Sequence, residues 1–335
     1  MAKDLSLLKE AFMIRTPAFW YEEPGWQTST LAPAAKVYSY FAKKHRDKIT
    51  PQRASVPVVC IGNFVVGGAG KTPLTQILSP LLPGVHIISR GYGRAEKSPV
   101  LVDPEKHSFL DVGDEPLLLA GYAPTWVGPD RPTLAQKAAA AGAKVLLLDD
   151  GLQNPSLHKD LSLVVIDAYS GLGNEHVFPA GPLREPLEEG LSKAHALVLV
   201  GKDNHGLMKR FSPYLPVTMA HVMPRTQDIM ALQNKTIVAF AGLARPQKFF
   251  NMLDREGVQV RKSLGFPDHH PYSDSDLKKL LKEAQHFHGQ LVTTQKDFVR
   301  LPAWFKEHVQ VVHMTLSTDK DFFTDLFRKA RIPCL

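Results

Sequence analysis

Segment 67–72 constrains the fold of this chain more than any other segment. It reads Gly-Gly-Ala-Gly-Lys-Thr, follows an apolar run at 56–62 that predicts a buried strand, and precedes 74–78, which predicts the start of a helix. This order is typical of a phosphate-binding loop, in which glycines let backbone N–H groups converge on an anion. The strict pattern has a further glycine where this chain has Val65, and the glycines at 67 and 68 can supply that turn instead. We expect Gly67, Gly68, Ala69 and Gly70 to cradle phosphate.

Two kinds of side chain near this loop predict a metal-dependent nucleotide site. Lys71 can reach the β- and γ-phosphates, and the Thr72 hydroxyl can hold Mg²⁺. Asp149 and Asp150 end the apolar run 144–148, which predicts a strand buried on both faces. An acidic residue at such a strand end completes the Mg²⁺ shell in phosphate-loop enzymes. The predicted metal ligands are therefore Thr72, Asp149 and Asp150.

Strand and helix patterns alternate from 56 to about 200, and a second α/β block begins near 217. The predicted fold class is α/β, with a P-loop NTPase-type doubly wound, mostly parallel sheet, a second, smaller α/β domain and an N-terminal amphipathic helix. The predicted domains are an N-terminal membrane-associating segment at 1–50, a kinase core at 51–212 and a C-terminal α/β domain at 213–335. Segment 213–232 is expected to link the two α/β blocks.

The composition limits the class of binding partner but does not identify a single one. The formal net charge of +7 favours anionic partners such as nucleotides, nucleic acids or anionic membrane surfaces. Two cysteines far apart in the sequence argue against a disulfide framework and fit a reducing cytosol. The segment 31–46 predicts an amphipathic helix that ends in a basic cluster, and it follows the aromatic run 19–21. This pattern suits a membrane interface, and it is also compatible with an ordinary helix packed on the core.

Four loops carry further candidate residues. Arg90 and Arg94 follow a predicted strand, where they either bind phosphate or are solvated turn residues. Asp114, between Gly113 and Pro116, is suited to accept a hydroxyl proton but is equally suited to cap a helix.

Segment 178–186 is a rigid loop that presents Arg184, and segment 266–272 presents two adjacent histidines. A metal site at those histidines is less favoured than one functional histidine, because neighbouring side chains point apart and no further clustered ligand accompanies them.

Taken together, these motifs resemble those of the tetraacyldisaccharide 4′-kinases, the lipid A 4′-kinases of Gram-negative bacteria. They occur in the family's order and cover roughly residues 15 to 315. They are Gly62-Asn63, the loop 66–73, the segment 89–94, Gly113-Asp114-Glu115-Pro116, Asp149-Asp150-Gly151-Leu152-Gln153, the segment 179–185, Phe266-Pro267-Asp268-His269 and Thr294-Gln295-Lys296-Asp297.

The resemblance implies transfer of the γ-phosphate of ATP, with Mg²⁺, to the 4′-hydroxyl of an acylated glucosamine disaccharide 1-phosphate. It implies a peripheral or monotopic location on the cytoplasmic face of the inner membrane and no nucleic-acid partner. By motif, Asp114 matches the family's proposed base and His269 its partner, while Arg184 matches an arginine that acts near the phosphates or substrate. Arg131, in a shorter motif, matches a further arginine, and Arg90 joins the phosphate-binding set.

The chain departs from the family pattern at two places. Asn154 stands where the family often has histidine, and Gln295 stands where the family often has glutamate. The alternative function is a soluble P-loop kinase that acts on a small polar substrate. Two weaker alternatives are a GTP-dependent switch protein and a non-catalytic nucleotide or nucleic-acid binder.

Overall fold

The computed structural model describes residues 17–91, 98–243 and 245–335. Its strands are Val58–Gly62 (β1), Val85–Ser89 (β2), Val100–Leu101 (β3), Thr125–Val127 (β4), Val145–Asp149 (β5), Leu161–Asp167 (β6), Ala196–Val200 (β7), Val217–Pro224 (β8), Ile237–Ala241 (β9), Val260–Gly265 (β10), Gln290–Thr294 (β11), Val309–Val312 (β12) and Met314–Thr318 (β13). Its α-helices are Trp26–Asp47, Lys71–Leu78, Phe109–Val112, Asp114–Leu119, Arg131–Ala140, Leu187–Leu191, Leu207–Phe211, Thr226–Met230, Pro246–Arg255, Asp274–His286, Gln295–Phe298, Ala303–Lys306 and Lys320–Lys329.

The chain forms two compact units, each assembled from separate stretches of sequence. The first contains the described part of Met1–Arg53, with Val59–Lys71 and Asp150–Ala220. The second contains Ala54–Val58, Thr72–Asp149 and His221–Leu335. The domain boundaries expected at 51 and 213 stay a prediction.

In the first unit, parallel strands hold the phosphate loop. The strand order is β8-β7-β6-β1, and each neighbouring pair is parallel. Every residue of β1 and β7 is buried, as the continuous apolar runs in the sequence predict for a sheet covered on both faces. The carboxyl end of β1 leads directly into segment 63–70.

The long helix Trp26–Asp47 is anchored in this unit at both of its ends. Just before it, the Trp20 indole N–H donates to the carbonyl of Pro179 over 3.1 Å. In its first turn, the Thr28 hydroxyl accepts a bond of 3.2 Å from the Asn174 side chain, and in its last turn Arg46 pairs with Glu189 at 2.6 Å. The helix begins five residues earlier than the predicted start at residue 31, because these tertiary contacts stabilise a first turn that local propensity does not indicate.

The second unit contains two groups of strands. Strands β5, β2 and β4 are parallel in that order, and the short β3 pairs antiparallel with β4. A separate four-stranded parallel sheet has the order β10-β9-β11-β12. Alternate residues of β9 belong to two different apolar clusters, one packed on helix Pro246–Arg255 and the other on helix Asp274–His286. Helices therefore cover both faces of the smaller sheet, and the predicted α/β class with a second, smaller sheet is confirmed.

Two segments differ from the sequence prediction. The expected linker 213–232 contains strand β8 and helix Thr226–Met230. The single strand expected at 309–314 is two strands, β12 and β13, which are interrupted at His313. The side chain of Asp228 accepts the backbone N–H of His313 at 2.7 Å and the ring Nδ1 at 2.8 Å. The backbone donor of His313 is therefore used by a side chain 85 residues away in the chain, a contact that the pattern of apolar residues does not indicate.

Candidate active site

The phosphate loop is shaped by one side chain and by glycine conformations. The Asn63 amide donates to the carbonyl of Val65 at 2.7 Å and to that of Gly67 at 3.2 Å, which curls the loop. Gly70 has φ +91°, a conformation that other residues rarely adopt, so this backbone position immediately before the lysine favours glycine. Among the described residues, and apart from the chain neighbours, no atom lies within 4 Å of a Cβ added at Gly67 or Gly68, which leaves this side of their backbone accessible to a ligand.

At the end of this loop, Lys71 and Arg184 converge on one carboxylate. Arg184 binds both oxygens of Asp150, at 2.7 and 3.2 Å, and Lys71 Nζ lies 3.6 Å from the same carboxylate. Arg184 Nε also donates to the carbonyl of Val65 at 3.1 Å, which ties the guanidinium to the loop. Asp150 has φ +53°, a left-handed conformation that costs about 1–3 kcal/mol outside glycine. The structure therefore brings together three predicted site residues, two cationic and one anionic.

The charge of Asp150 depends on these two cations. Burial raises the pKa of this carboxyl, but Lys71 and Arg184 outweigh burial and hold the pKa below its ordinary value. The Asp150 carboxylate is thus an ionised anchor for the two cations at neutral pH.

The neighbouring carboxylate, Asp149, has different contacts. It is the last residue of β5, it is buried, and its Oδ1 lies 3.5 Å from the hydroxyl of Thr75. Thr72 is half-buried in the first turn of helix Lys71–Leu78. Carboxylate and hydroxyl oxygens form the donor set that Mg²⁺ prefers, so Thr72 and Asp149 fit this ion by their chemistry.

The predicted arginines near β2 differ in exposure. Arg90 is exposed directly after β2, whereas Arg131 is buried and its Nη1 donates to the carbonyls of Gly128 at 2.8 Å and Ser89 at 3.3 Å. Arg131 therefore joins the ends of β2 and β4 through backbone contacts. Arg94 lies outside the described residues.

In the second unit, Asp114 and His269 form a direct hydrogen bond. Asp114 is the first residue of helix Asp114–Leu119 and follows Gly113, which has φ +92°. Its Oδ2 lies 2.8 Å from His269 Nδ1. The Asp114 side chain is 8% exposed and that of His269 is 46% exposed. The pair therefore joins a buried carboxylate to an imidazole that solvent or a ligand can reach.

A third residue of this cluster, Arg300, was not found from the sequence. Its side chain has no exposure, and its guanidinium binds Asp114 Oδ2 through Nε at 2.9 Å and through Nη2. Its Nη1 donates to the carbonyl of Gly242 at 3.1 Å and lies 3.3 Å from Asp297 Oδ1. Arg300 follows the motif Thr294-Gln295-Lys296-Asp297 by three residues, and that spacing on a helical turn was the available signal.

Asp297, from the same motif, holds this arginine in place. Its Oδ1 accepts the backbone N–H of Gly242 at 2.8 Å and the Tyr272 hydroxyl at 2.9 Å, and its Oδ2 accepts the Thr294 hydroxyl at 2.7 Å. Burial and the adjacent Asp297 raise the pKa of Tyr272, which keeps this hydroxyl a donor. The motif thus builds a buried hydrogen-bond network beneath Asp114.

The buried carboxylate of Asp114 is nevertheless ionised. Burial raises its pKa, but the His269 hydrogen bond and the Arg300 guanidinium hold that pKa far below the usual range. Asp114, Glu115 and His269 offer ligand atoms within 4.8 Å of one another, a spacing compatible with a metal. We assign no metal there, because Arg300 already binds Asp114 and Lys296 Nζ binds Glu115 at 2.9 Å.

The comparisons with known proteins agree on one family. The family model described as tetraacyldisaccharide-1-P 4′-kinase matches residues 27–331. A tetraacyldisaccharide 4′-kinase from Rhodospirillum centenum is 44% identical over 315 residues, with 92% of this chain and 94% of that protein covered. One from Paramagnetospirillum magneticum is 43% identical over 320 residues, with 94% and 98% covered.

A solved structure is similar as well. It is the crystal structure of LpxK from Aquifex aeolicus, described as an "apo" form in complex with ATP, and its sequence is 28% identical to this chain. The TM-score is 0.73, and the similarity covers 90% of this chain and 99% of that chain.

Proposed function

This chain belongs to the tetraacyldisaccharide-1-P 4′-kinase family of lipid A biosynthesis, and we propose that it phosphorylates its substrate with Asp114 as the proton acceptor. The chain is accordingly a kinase. The observation that carries the proposed role of Asp114 is its geometry: a buried, ionised carboxylate that is hydrogen-bonded to the half-exposed His269 and supported by Arg300. The proposed phosphoryl donor is ATP, which the similar Aquifex structure contains.

The proposed reaction is an in-line transfer. The 4′-hydroxyl oxygen of a tetraacyldisaccharide 1-phosphate forms a bond to the γ-phosphorus while its proton passes to Asp114. The bond from the γ-phosphorus to the bridging oxygen breaks, and its electron pair stays on ADP. Such transfers depend on positioning and on charge stabilisation more than on covalent chemistry.

The residues of the phosphate loop supply that stabilisation. The backbone of segment 67–70 and the Lys71 ammonium are proposed to bind the β- and γ-phosphates. Arg184 is proposed to neutralise charge as it redistributes in the transition state, and its bonds to Asp150 and Val65 hold it beside the loop. Arg90 and Arg131 stay proposals as phosphate ligands, and the backbone contacts of Arg131 favour a structural contribution.

Thr72 and Asp149 are the residues that we propose to hold Mg²⁺. When bound, Mg²⁺ would neutralise charge on the phosphate oxygens. We propose a different task for Asp150, since both of its oxygens already bind Arg184 and its charge positions Lys71.

The proposed location is the cytoplasmic face of the inner membrane, where an acylated substrate resides. Among the described residues, no helix combines the length and the apolar character needed to cross a bilayer. Helix Trp26–Asp47 instead exposes Val37, Tyr40 and Phe41 along one stripe, and Lys44 lies 5.8 Å from the Tyr40 ring centre. An apolar stripe with basic neighbours suits a helix that lies in the membrane interface.

The test is transfer of labelled γ-phosphate from ATP to a detergent-solubilised tetraacyldisaccharide 1-phosphate. We expect wild type to transfer phosphate and Asp114→Asn to lose about 10² or more of that rate, on the scale of a general base. Asp254→Asn, an exposed aspartate of the same unit, is the matched control and should retain the rate.

The three possible outcomes are distinct. Transfer that survives Asp114→Asn, in protein that melts and binds ATP like wild type, would keep the kinase and reject Asp114 as proton acceptor. No transfer by folded, ATP-binding wild type would contradict the proposed substrate. Phosphorylation of a small polar acceptor in its place would favour the soluble-kinase alternative.

A further inference from the structure

Two cations from the segment after β11 flank the Asp114–His269 pair. Lys296 Nζ lies 3.3 Å from His269 Nε2 and 2.9 Å from Glu115 Oε1. On the other side of the imidazole, Arg300 binds Asp114 and lies 3.4 Å from His269 Nδ1. Both ring nitrogens of His269 therefore have a neighbour whose hydrogen-bonding role is fixed.

The direction of these hydrogen bonds follows from the groups involved. A lysine is an ammonium ion at neutral pH and offers only donors, so Nε2 facing Lys296 must accept. A neutral imidazole with Nε2 as acceptor carries its proton on Nδ1. That proton then points at Asp114 Oδ2, 2.8 Å away, which can only accept. The contacts agree along the whole path from Lys296 through His269 to Asp114.

The other groups near His269 do not reverse this order. Asp268 Oδ2 lies 3.8 Å from Nε2, beyond hydrogen-bond distance, so Lys296 has the shorter contact. Arg300 offers only donors, and its Nε and Nη2 groups converge with His269 Nδ1 on Asp114 Oδ2.

We propose that Lys296 is a positioning residue that holds His269 in the Nδ1–H tautomer, so that the imidazole orients Asp114 and does not itself take the substrate proton. The proposal rests on the proposed function for the identity of the reaction. Its structural content is that Nε2, the exposed side of the ring, is occupied by an ammonium group. Among the described residues, the hydrogen bonds to the Asp114 carboxylate all reach Oδ2. Oδ1 is therefore the oxygen that receives the hydroxyl proton, as the bond from the substrate oxygen to phosphorus forms.

The tautomer can be measured without any activity. Nitrogen-15 NMR of protein labelled at its 14 histidines distinguishes Nδ1–H, Nε2–H and imidazolium forms, and a His269→Gln spectrum identifies the signals of this ring. We expect wild type near neutral pH to show His269 as Nδ1–H. Lys296→Met removes the donor at Nε2, so the Nε2–H or imidazolium form should gain population. Lys296→Arg, which again offers only donors, should restore Nδ1–H.

Two controls test whether the change of tautomer is caused by the loss of Lys296 itself. Lys282→Met removes an exposed lysine of the same unit and should leave the His269 signals and the transfer rate unchanged. Thermal melting checks that each variant is folded. An Nε2–H form in wild type, or a tautomer that Lys296→Met does not change, would overturn the inference.

The kinetic consequence separates this inference from the proposed function. With the disaccharide substrate, Lys296→Met should lower kcat about 10-fold, a part of the general-base contribution, and should leave KM for ATP unchanged. A wild type that shows the Nδ1–H tautomer but transfers no phosphate would refute the proposed function and uphold the assigned tautomer. A wild type that transfers phosphate with His269 as Nε2–H would uphold the proposed function and refute the role of Lys296.

Discussion

Asp149 and Asp150 are adjacent in sequence but differ in their surroundings. Asp150 accepts both ends of the Arg184 guanidinium and attracts Lys71, while Asp149 is buried at the end of β5 beside Thr75. Both oxygens of a bidentate carboxylate are used by its arginine. At the scale of residues, this difference supports the proposal that Asp149 holds Mg²⁺ and that Asp150 positions the two cations.

Paired substitutions test that division. Asp149→Asn should raise the Mg²⁺ concentration needed for half-maximal transfer, because a neutral amide is a weaker ligand than a carboxylate. Asp150→Asn should leave the Mg²⁺ midpoint near that of wild type but lower kcat/KM by up to about 10²-fold, since Lys71 and Arg184 lose the charge that positions them. Titration of Mg²⁺ at saturating ATP measures both midpoints. If only Asp150→Asn shifted the Mg²⁺ midpoint, Asp150 would be the metal ligand and Asp149 would not.

The sequence predicted the local parts of the site better than its distant contacts. A phosphate loop and a strand end are short-range patterns, and they are the basis on which Lys71, Thr72, Asp149 and Asp150 are predicted. Arg300 was missed because its partner Asp114 lies 186 residues away in the chain. Lys296 was named only within a motif, because no local pattern pairs it with His269, 27 residues away. An arginine three residues after an aspartate is also common on solvated helices, so only the burial of Arg300 shows its importance.

At the scale of elements, helix Trp26–Asp47 presents two faces with different partners. One face packs on the first unit through Thr28 and Ala35, which are buried. The other exposes Tyr40 and Phe41, each more than half accessible. Large apolar side chains in such a stripe are typical of a surface that meets a membrane or a partner.

Vesicle binding is the measurement for this helix. The double variant Tyr40→Ser, Phe41→Ser should lower partitioning onto anionic phospholipid vesicles by at least about 10-fold, because each buried aromatic contributes roughly 1.5–3 kcal/mol. The variant Tyr214→Ser changes a still more exposed aromatic of the same unit, outside this helix, and should bind like wild type. If wild type fails to co-sediment with these vesicles even at low salt, the interfacial role of the helix is wrong.

Element boundaries show where local patterns mislead. Strands β2, β7 and β11 have the predicted bounds, because each has an apolar centre next to a glycine turn, at Gly84, Gly201 and Gly289 respectively. Strand β8 was missed, since its residues alternate irregularly between buried and exposed and do not form such a run. Its place is determined by pairing with β7, a contact that no local pattern contains.

At the scale of the whole molecule, the free energy of unfolding should depend on pH through the carboxylates whose pKa is lowered in the folded state. Their folded-state pKa values lie below the unfolded value of about 3.8, for Asp114 because of His269 and Arg300 and for Asp150 because of Lys71 and Arg184. The unfolded chain therefore binds more protons as the pH falls through about 4. The stabilisation by these groups is complete above that pH and decreases below it.

Urea unfolding at several pH values between about 7 and about 3 measures this effect. The midpoint for wild type should fall steeply below pH about 4.5, and that for Asp114→Asn should fall less, since one depressed carboxylate is absent. Asp254→Asn again serves as the control and should follow wild type. If the urea midpoint fell equally with pH for wild type and Asp114→Asn, the pKa of Asp114 would not be lowered in the folded state.

Two residues of the candidate site, Asp150 and His269, share a backbone feature with a practical consequence. Their φ values of +53° and +57° belong to the left-handed region, which glycine adopts without steric cost and other residues adopt less often. Glycine would relieve the backbone at both positions but would remove the ion pairs of Asp150 and the hydrogen bond of His269, on which turnover is proposed to depend. Directed evolution towards higher thermal stability should therefore keep Asp150 and His269 unchanged and vary other positions of the chain.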